Sequence, residues 1–481
     1  MSAGRRSAWL GAAQVGEVGL QVLLPILLVR HLEPQAFAGY RLIWLIANTG
    51  AALLPFAVPH ALSILLPAKS APDRAAHVRV AFLSLGAMGA LAGLATAIGL
   101  SHTAQHPALT GAVLAASLFV ALWVPAVMLD YLPVADERGD WQAKAMMLLA
   151  LLRTALIAWA AVTWESLVPV LYVLLANAAA RLLAVIVYGQ RRHRWLQARS
   201  ARGHWREHMR VALPWGITGV LFSLRHQAEQ WLAAAVFSAT QFAAYSLAAV
   251  ASPLVLLARR ALSSTLLPVM ARQHAGGDWA AVLATNHRAN IAVACLAWPV
   301  LAFLVWFGEP IYDLIYTPQY RDAVPVMRVM ALTWTIQVIE LNSLLQFAGL
   351  MPRAARLNLW LLFLAVGGAV GGAAWLGLVG LAFGGPLAAF VERTLLVRML
   401  ARGTRMPVKT IQPWRQFLGL ALVCLMLGGL GRLAYDWLPL PQAQWSRMLL
   451  VAPFLLFLYV LAVRRANWWP RSLAPEEGDV R

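Results

Sequence analysis

The sequence predicts an all-α polytopic membrane protein of about 14 transmembrane helices, with two six-helix pseudo-symmetric bundles and two additional C-terminal helices. Composition is the first reason: 61% of the 481 residues are hydrophobic and 12% are charged, which leaves too little polar surface for a soluble globule. The second is a series of apolar runs of about 17 to 25 residues, the length that crosses a hydrocarbon core. The third is an internal repeat that places six of these runs in each half.

The apolar runs define fourteen predicted spans along the chain. In order they are 9–29, 42–66, 80–100, 108–129, 145–164, 167–188, 211–237, 242–267, 287–307, 324–349, 357–376, 378–400, 417–435 and 448–463. The first run lacks the small-residue cleavage site of a signal peptide and contains Glu17, so we expect it to remain as the first span.

The basic residues predict the orientation of these spans. Loops on the side of the N-terminus contain 27 of the 39 Lys and Arg residues, and the opposite loops contain four. Since basic loops are retained in the cytoplasm, both termini are expected to be cytoplasmic. The formal charge of +19 follows largely from this asymmetry, so nucleic-acid binding is not expected.

Two stretches separated by about 205 residues carry the repeat. The segment "LEPQAFAGYRL" follows span one, "FSATQFAAYSL" follows span seven, and the next spans end in "ALSILLP" and "ALSSTLLP". Six spans per repeat is an even number, so both repeats start on the same side of the membrane and form a parallel repeat. We therefore predict lobes at 1–205 and 206–402, two additional helices within 403–466, and a cytoplasmic tail at 467–481.

Polar residues inside the spans are the candidates for a transport pathway. An arginine at the centre of a span costs about 2.5 to 3.5 kcal/mol on the translocon scale, so most of the eight intramembrane arginines are expected to face protein, water or the interface. On spans one and seven, polar residues recur three or four positions apart and share a helix face. The residues expected to line a hydrated cavity are Gln14, Glu17, Gln21, Arg153, Arg181, Arg225, His226, Glu229, Arg259 and Arg260.

Structural roles for the same residues remain open alternatives. Arg225 and Glu229 are four apart and can neutralise each other within one helix. Interhelical hydrogen bonds can explain the polar face of span one, and interfacial anchoring can explain the arginines near helix ends, where Glu392 is expected to pair with Arg393. Cys295 and Cys424 lie in apolar runs, which predicts packing and neither a disulfide nor a thiolate metal site.

Three segments resemble the multidrug, oligosaccharidyl-lipid and polysaccharide (MOP) exporter superfamily, and within it the polysaccharide branch of O-antigen-type flippases. They are "RHLEPQAFAGYRLI", its echo "FSATQFAAYSLA", and "FGEPIYDLIYTPQYRDAVPVMRVMA" from Phe307 to Ala331. The resemblance covers about residues 1 to 400. One departure is that relatives often have an aspartate in span seven, where this chain has Glu229.

The resemblance implies a bilobed flippase of the bacterial cytoplasmic membrane that passes a polyprenyl-pyrophosphate-linked oligosaccharide between leaflets by alternating access. On this interpretation, Arg225 with Arg259 or Arg260 would clamp the pyrophosphate, because guanidinium forms paired hydrogen bonds with phosphate oxygens. Glu17, Glu229 and Glu340 are the acidic groups that can bind a coupling proton or sodium ion. No cofactor is implied, and a polysaccharide polymerase is the expected protein partner.

Two other functions provide the alternatives. A membrane glycosyltransferase or polymerase is disfavoured, because the chain has no Asp-x-Asp, no Walker lysine, no His-Glu-x-x-His and no long loop. The acidic stretch "DYLPVADERGD" from Asp130 to Asp140 is interpreted as a solvated loop. A multidrug or cation antiporter of the same superfamily would typically have twelve helices and more cavity carboxylates, and it remains the nearer alternative.

Overall fold

The computed structural model describes residues 16, 19–20, 23–102, 112–199, 202–249, 252–437 and 444–469. Within these ranges the regular structure is entirely helical, which confirms the predicted class. Nine helices of the described chain are long and apolar enough to cross a membrane, or ten if one bent pair counts as a single span. The predicted number of fourteen stays a prediction, because span one lies largely outside the described residues and spans 211–237, 242–267 and 378–400 are not among these helices.

Contacts divide the chain into two compact units, Met1–Ala243 and Ala244–Arg481. The predicted lobe boundary at 205/206 rests on the sequence repeat and stays a prediction. In the first unit, residues 23–31 are helical and seven of the eight helices that follow are longer than one turn. The helices are α1 (Pro34–Leu53), α2 (Val58–Leu65), α3 (Ala71–His102), α4 (Val113–Ala126), α5 (Leu132–Ala135), α6 (Gly139–Trp164), α7 (Leu167–His193) and α8 (Arg202–Val236).

The second unit begins within helix α9 (Ala239–Ala248), at Ala244. Its remaining helices are α10 (Ser252–Ala275), α11 (Trp279–Trp306), α12 (Gly308–Ile315), α13 (Ala323–Gln337), α14 (Asn342–Phe347), α15 (Met351–Leu381), α16 (Gly384–Thr404), α17 (Val408–Ile411), α18 (Trp414–Trp437) and α19 (Gln444–Arg465). The two C-terminal helices pack on α11: the Tyr459 hydroxyl donates to the Cys295 carbonyl at 2.8 Å, and Trp306 lies against Gly428. Both cysteines are buried in this core, as the apolar runs predict.

The predicted spans 42–66 and 324–349 contain breaks that their hydropathy does not reveal. Span 42–66 bends by 41° between α1 and α2, where Phe56 and Ala57 adopt left-handed φ values of 41° and 56°. Helix α8 packs against this break so closely that a Cβ at Gly216 would lie 2.5 Å from the Phe56 carbonyl carbon. Only glycine fits there without a backbone shift. Span 324–349 is likewise broken between α13 and α14.

The N-terminal end of α8, which precedes its predicted span, is joined to α2 and α3 by a polar cluster. Lys69 donates to the Glu207 carboxylate at 2.6 Å, and His77 Nε2 lies 3.3 Å from the other Glu207 oxygen. The hydrogen bond from Lys69 holds the pKa of Glu207 below its ordinary value. His208 is fully buried, and its Nε2 donates to the Val58 carbonyl at 2.9 Å.

His208 should make the first unit less stable as the pH falls from about 6.5 to about 4. Burial lowers the pKa of His208 to about 4, so the unfolded chain binds a proton at a pH where the folded protein does not. The full loss of unfolding free energy is about 3 kcal/mol. Unfolding in detergent micelles at a series of pH values measures it.

The control for this prediction is His60→Gln, which replaces a partly buried histidine of the same unit. His208→Gln should flatten the pH dependence between pH 6.5 and 4, and His60→Gln should leave it in place. Parallel curves for His208→Gln and the parent protein would contradict the assignment.

Candidate functional site

The polar stretch of α8 is packed against α1. Arg225 is buried, with 9% of its surface exposed, and His226 and Glu229 are partly buried. Gln227 contacts the Thr49 hydroxyl of α1, which also accepts a hydrogen bond from Trp231 Nε1 at 2.9 Å. The sequence singled out the charged residues of this stretch but did not predict that Gln227 and Trp231 would connect it to α1.

Two predicted candidates, Arg153 on α6 and Arg181 on α7, are stacked on tryptophans inside the first unit. The Arg153 guanidinium carbon lies 5.6 Å from the centre of the Trp44 ring, and that of Arg181 lies 5.0 Å from the Trp123 ring. The two tryptophan rings contact each other edge to face at 5.2 Å. Cation–π contact of this kind stabilises a guanidinium that has lost part of its hydration.

Arg181 also has a carboxylate partner that the sequence interpretation missed. Its Nη2 forms an ion pair with Asp130, and its Nε donates to the Ala126 carbonyl at 3.3 Å. The interpretation of the stretch around Asp130 as a solvated loop is wrong for Asp136 as well. The Asp136 side chain is 5% exposed and lies 2.8 Å from His193 Nε2, because the turn folds back onto the end of α7.

In the second unit, Arg259 of α10 lines a cavity of about 10 Å³, the space that one water molecule requires. Polar groups from α11, α14 and the break before α14 share this cavity, namely Asn286, Asn290, Glu340 and Ser343. Arg259 Nε is buried and has no hydrogen-bond partner among the described residues. Among the described residues, no carboxylate oxygen lies within 4.0 Å of an Arg259 nitrogen, the limit for an ion pair.

The other intramembrane arginines have carboxylate partners, and Arg393, expected near a helix end, lies in the middle of α16. Arg393 Nη1 lies 3.8 Å from Glu392, as the sequence predicts. Arg328 donates to Glu309 at 2.6 Å, and Arg432 pairs with Asp436 at 2.9 Å. These three arginines are therefore neutralised locally and are weak candidates for binding cargo.

Four predicted site residues belong to the part of the chain that the structure does not describe. Gln14, Glu17 and Gln21 lie outside the described residues, and so does the side chain of Arg260. That these four residues line the hydrated cavity of the transport pathway stays a prediction.

An amide network around the Arg259 cavity was not singled out by the sequence interpretation. Asn290 donates to Gln412 at 3.0 Å, and Gln412 donates to Asn286 at 2.9 Å. The available signal was the spacing of Asn286 and Asn290, two amides one helical turn apart at the start of the apolar run 287–307. Within the described part of the chain, no three His, Cys, Asp or Glu residues are placed to hold a metal ion.

The described chain is a helical membrane protein with buried arginines in both units, and comparison with known proteins identifies its family. The family model described as "Polysaccharide biosynthesis protein" matches residues 3–274. The chain belongs to this family. No curated protein is similar to it in sequence at a significant level.

Solved structures show the same fold at low identity. The lipid II flippase MurJ in an inward closed conformation superposes with a TM-score of 0.69 at 11% identity, over 95% of this chain and 99% of that one. A multidrug resistance MATE family transporter of the MOP superfamily, in an outward-facing conformation, gives a TM-score of 0.57 at 16% identity, over 83% and 96%. The predicted MOP superfamily fold is thereby confirmed.

Proposed function

We propose that the protein is a flippase that moves a polyprenyl-pyrophosphate-linked oligosaccharide, an O-antigen or exopolysaccharide unit, across the bacterial cytoplasmic membrane by alternating access. Its family is that of polysaccharide biosynthesis proteins, and its fold is shared with a protein described as a lipid II flippase. In this proposal both termini are cytoplasmic, no cofactor takes part, and a polysaccharide polymerase receives the product.

The observation that carries the proposal is the state of Arg259. A guanidinium with a buried, unbonded Nε costs free energy unless something pairs with it, and Arg259 lines a cavity instead of forming an ion pair. Phosphate oxygens are suitable partners, because they accept the parallel hydrogen bonds that a guanidinium donates. We assign Arg259 to the binding of the pyrophosphate.

The remaining predicted residues have supporting roles in this proposal. Arg225 is the second candidate for the phosphate, because it is buried within a predicted span. Arg153 presents its charge over Trp44, a combination suited to a phosphate beside a sugar ring. His226, Glu229, Gln14, Glu17, Gln21 and Arg260 are proposed to line the hydrated path, and Arg181, which is paired with Asp130, is proposed to act with Arg153.

Reconstitution into lipid vesicles tests the proposal. A polyprenyl-pyrophosphate-linked oligosaccharide labelled on its sugar is placed in the inner leaflet, and its arrival outside is followed with a membrane-impermeant quencher. The parent protein should move the lipid, and Arg259→Ala should slow this movement at least about tenfold, because loss of a charge-assisted phosphate contact removes roughly 1.5 to 3 kcal/mol.

A matched control is Arg321→Ala in the same unit. Arg321 is exposed and forms two hydrogen bonds with Asp313, at 2.7 and 2.8 Å, so its loss should leave the rate unchanged. Equal rates for the parent and Arg259→Ala would remove Arg259 from the site. A parent protein that exports a fluorescent organic cation and leaves the labelled lipid in place would instead identify the antiporter alternative.

A further inference from the structure

The break between α13 and α14 places one carboxylate, Glu340, beside the Arg259 cavity. Both helices belong to the predicted span 324–349, and residues 338–341 between them are non-helical. Backbone groups at such a break must find partners within the protein, because lipid offers none. We therefore expect side chains of the protein to form hydrogen bonds with the backbone at this break.

Side chains of α11 supply those partners. Asn290 Nδ2 donates to the Glu340 carbonyl at 3.1 Å, and Asn290 Oδ1 accepts from the Glu340 amide at 3.0 Å. Asn286 Nδ2 donates to the same carbonyl at 3.2 Å. The backbone of Glu340 is thus fixed from one side, which determines where its side chain begins.

The Glu340 carboxylate is held by the start of α14. The Ser343 amide donates to Oε1 at 3.1 Å, and Asn286 Nδ2 lies 3.5 Å from Oε2. These contacts use part of the hydrogen-bonding capacity of the carboxylate and orient it on the cavity wall, which Arg259 also lines.

The charges around the cavity leave Glu340 as the principal counter-charge for Arg259. The negative charges of Glu340 and Glu392 act favourably on the Arg259 guanidinium, and the positive charge of Arg393 opposes them. Glu392 already faces Arg393 at 3.8 Å, and Glu340 acts more strongly on Arg259 than Glu392 does. Arg259 and Glu340 remain as an opposed pair on one cavity the size of a single water molecule.

We propose that Glu340 is the counter-ion of Arg259 when no cargo is bound, and that it competes with the anionic head group of the cargo. A phosphate oxygen that enters the cavity to accept from Arg259 Nε must approach the Glu340 carboxylate. The like-charge repulsion weakens the complex and allows the head group to leave, since a carrier must bind its cargo without retaining it. This role rests on the proposed function.

The first test measures the pairing without cargo. Thermal unfolding of the parent, Arg259→Gln, Glu340→Gln and the double variant in detergent forms a double-mutant cycle. Glu340→Gln keeps an oxygen that accepts from the Ser343 amide but leaves Arg259 without a counter-charge, so we expect its midpoint to fall by about 3 °C or more. The double variant should recover most of that loss. Additive shifts would overturn the pairing.

The second test measures the competition with a short prenyl pyrophosphate as the anionic probe and the matching prenyl alcohol as the neutral one. Glu340→Gln should bind the pyrophosphate about tenfold more tightly than the parent, because a repelling charge is removed, and should bind the alcohol equally. Glu309→Gln is the control, since Glu309 pairs with Arg328 at 2.6 Å and does not line the cavity. Unchanged or weaker pyrophosphate binding by Glu340→Gln would overturn the competition.

The outcomes separate this role from the proposed function. A parent protein that binds no prenyl pyrophosphate and moves no lipid-linked oligosaccharide would overturn both. Normal binding and transport with an additive cycle would overturn only the role of Glu340. If Glu340→Gln alone cannot be isolated folded, recovery of the double variant supports the pairing, and failure to recover it counts against the pairing.

Discussion

Asp130→Ala should destabilise the first unit by about 3 kcal/mol, because it leaves the guanidinium of Arg181 without its carboxylate. Arg181 is 8% exposed, and its other contacts are the Ala126 carbonyl at 3.3 Å and the Trp123 ring at 5.0 Å. Neither contact carries a negative charge. The unfolding free energy, measured with a chemical denaturant in detergent micelles, should show the loss directly.

Two further variants make this prediction specific. Asp130→Ala combined with Arg181→Leu should recover most of the lost stability, because no buried cation remains. Asp436→Ala removes a carboxylate from the more exposed pair with Arg432 and should cost less than about 1 kcal/mol. If Asp130→Ala costs no more than Asp436→Ala, Arg181 is better hydrated than its burial indicates and does not depend on Asp130 for its stability in the folded protein.

Asn290→Leu should be about as damaging to the second unit, with an expected loss of about 3 kcal/mol. Asn290 is 1% exposed and bonds the carbonyl and the amide of Glu340 at 3.1 and 3.0 Å. Leucine fills a similar volume but bonds neither group, so a buried carbonyl and amide at the helix break lose a partner. The same denaturant titration measures the effect.

Asn177→Leu is the matched control for this substitution. Asn177 lies on α7 and donates one hydrogen bond, to the Leu149 carbonyl at 3.1 Å, so its replacement should cost only about 1 kcal/mol. Equal losses for the two variants would show that the amide network does not hold the break. A large loss for Asn290→Leu accompanied by slower lipid transport is expected, because the same break positions Glu340 beside Arg259.

Hydropathy predicts the positions of the long helices well, because the length of an apolar run is a local property that the bilayer thickness constrains. The runs 80–100, 145–164 and 417–435 lie within helices α3, α6 and α18. It does not predict the breaks within spans 42–66 and 324–349. At the first, Gly216 of α8 is needed to accommodate the Phe56 backbone, and at the second, Asn286 and Asn290 satisfy the Glu340 backbone.

The sequence likewise identified several arginines whose charge must be stabilised within the membrane. It did not identify the group that stabilises each one. Arg153 and Arg181 have the same residue type and similar burial, so only the folded chain distinguishes the ion pair of Arg181 from the tryptophan contact of Arg153. Arg259 differs again, because it lines a small cavity that Glu340 also lines. Their charge alone makes these three arginines equally good candidates for binding the cargo.

By itself, the sequence determined that this chain is an all-helical membrane protein and that its buried charge is predominantly cationic, since both follow from composition and the spacing of apolar runs. Only the tertiary structure decided which cations are neutralised and where a carboxylate meets Arg259. The deciding contacts join residues far apart in the chain, such as Arg181 with Asp130, 51 positions away, and Asn290 with Gln412, 122 positions away. Hydropathy and helical spacing describe neighbours within a few turns, so such partners become known only when the helices pack.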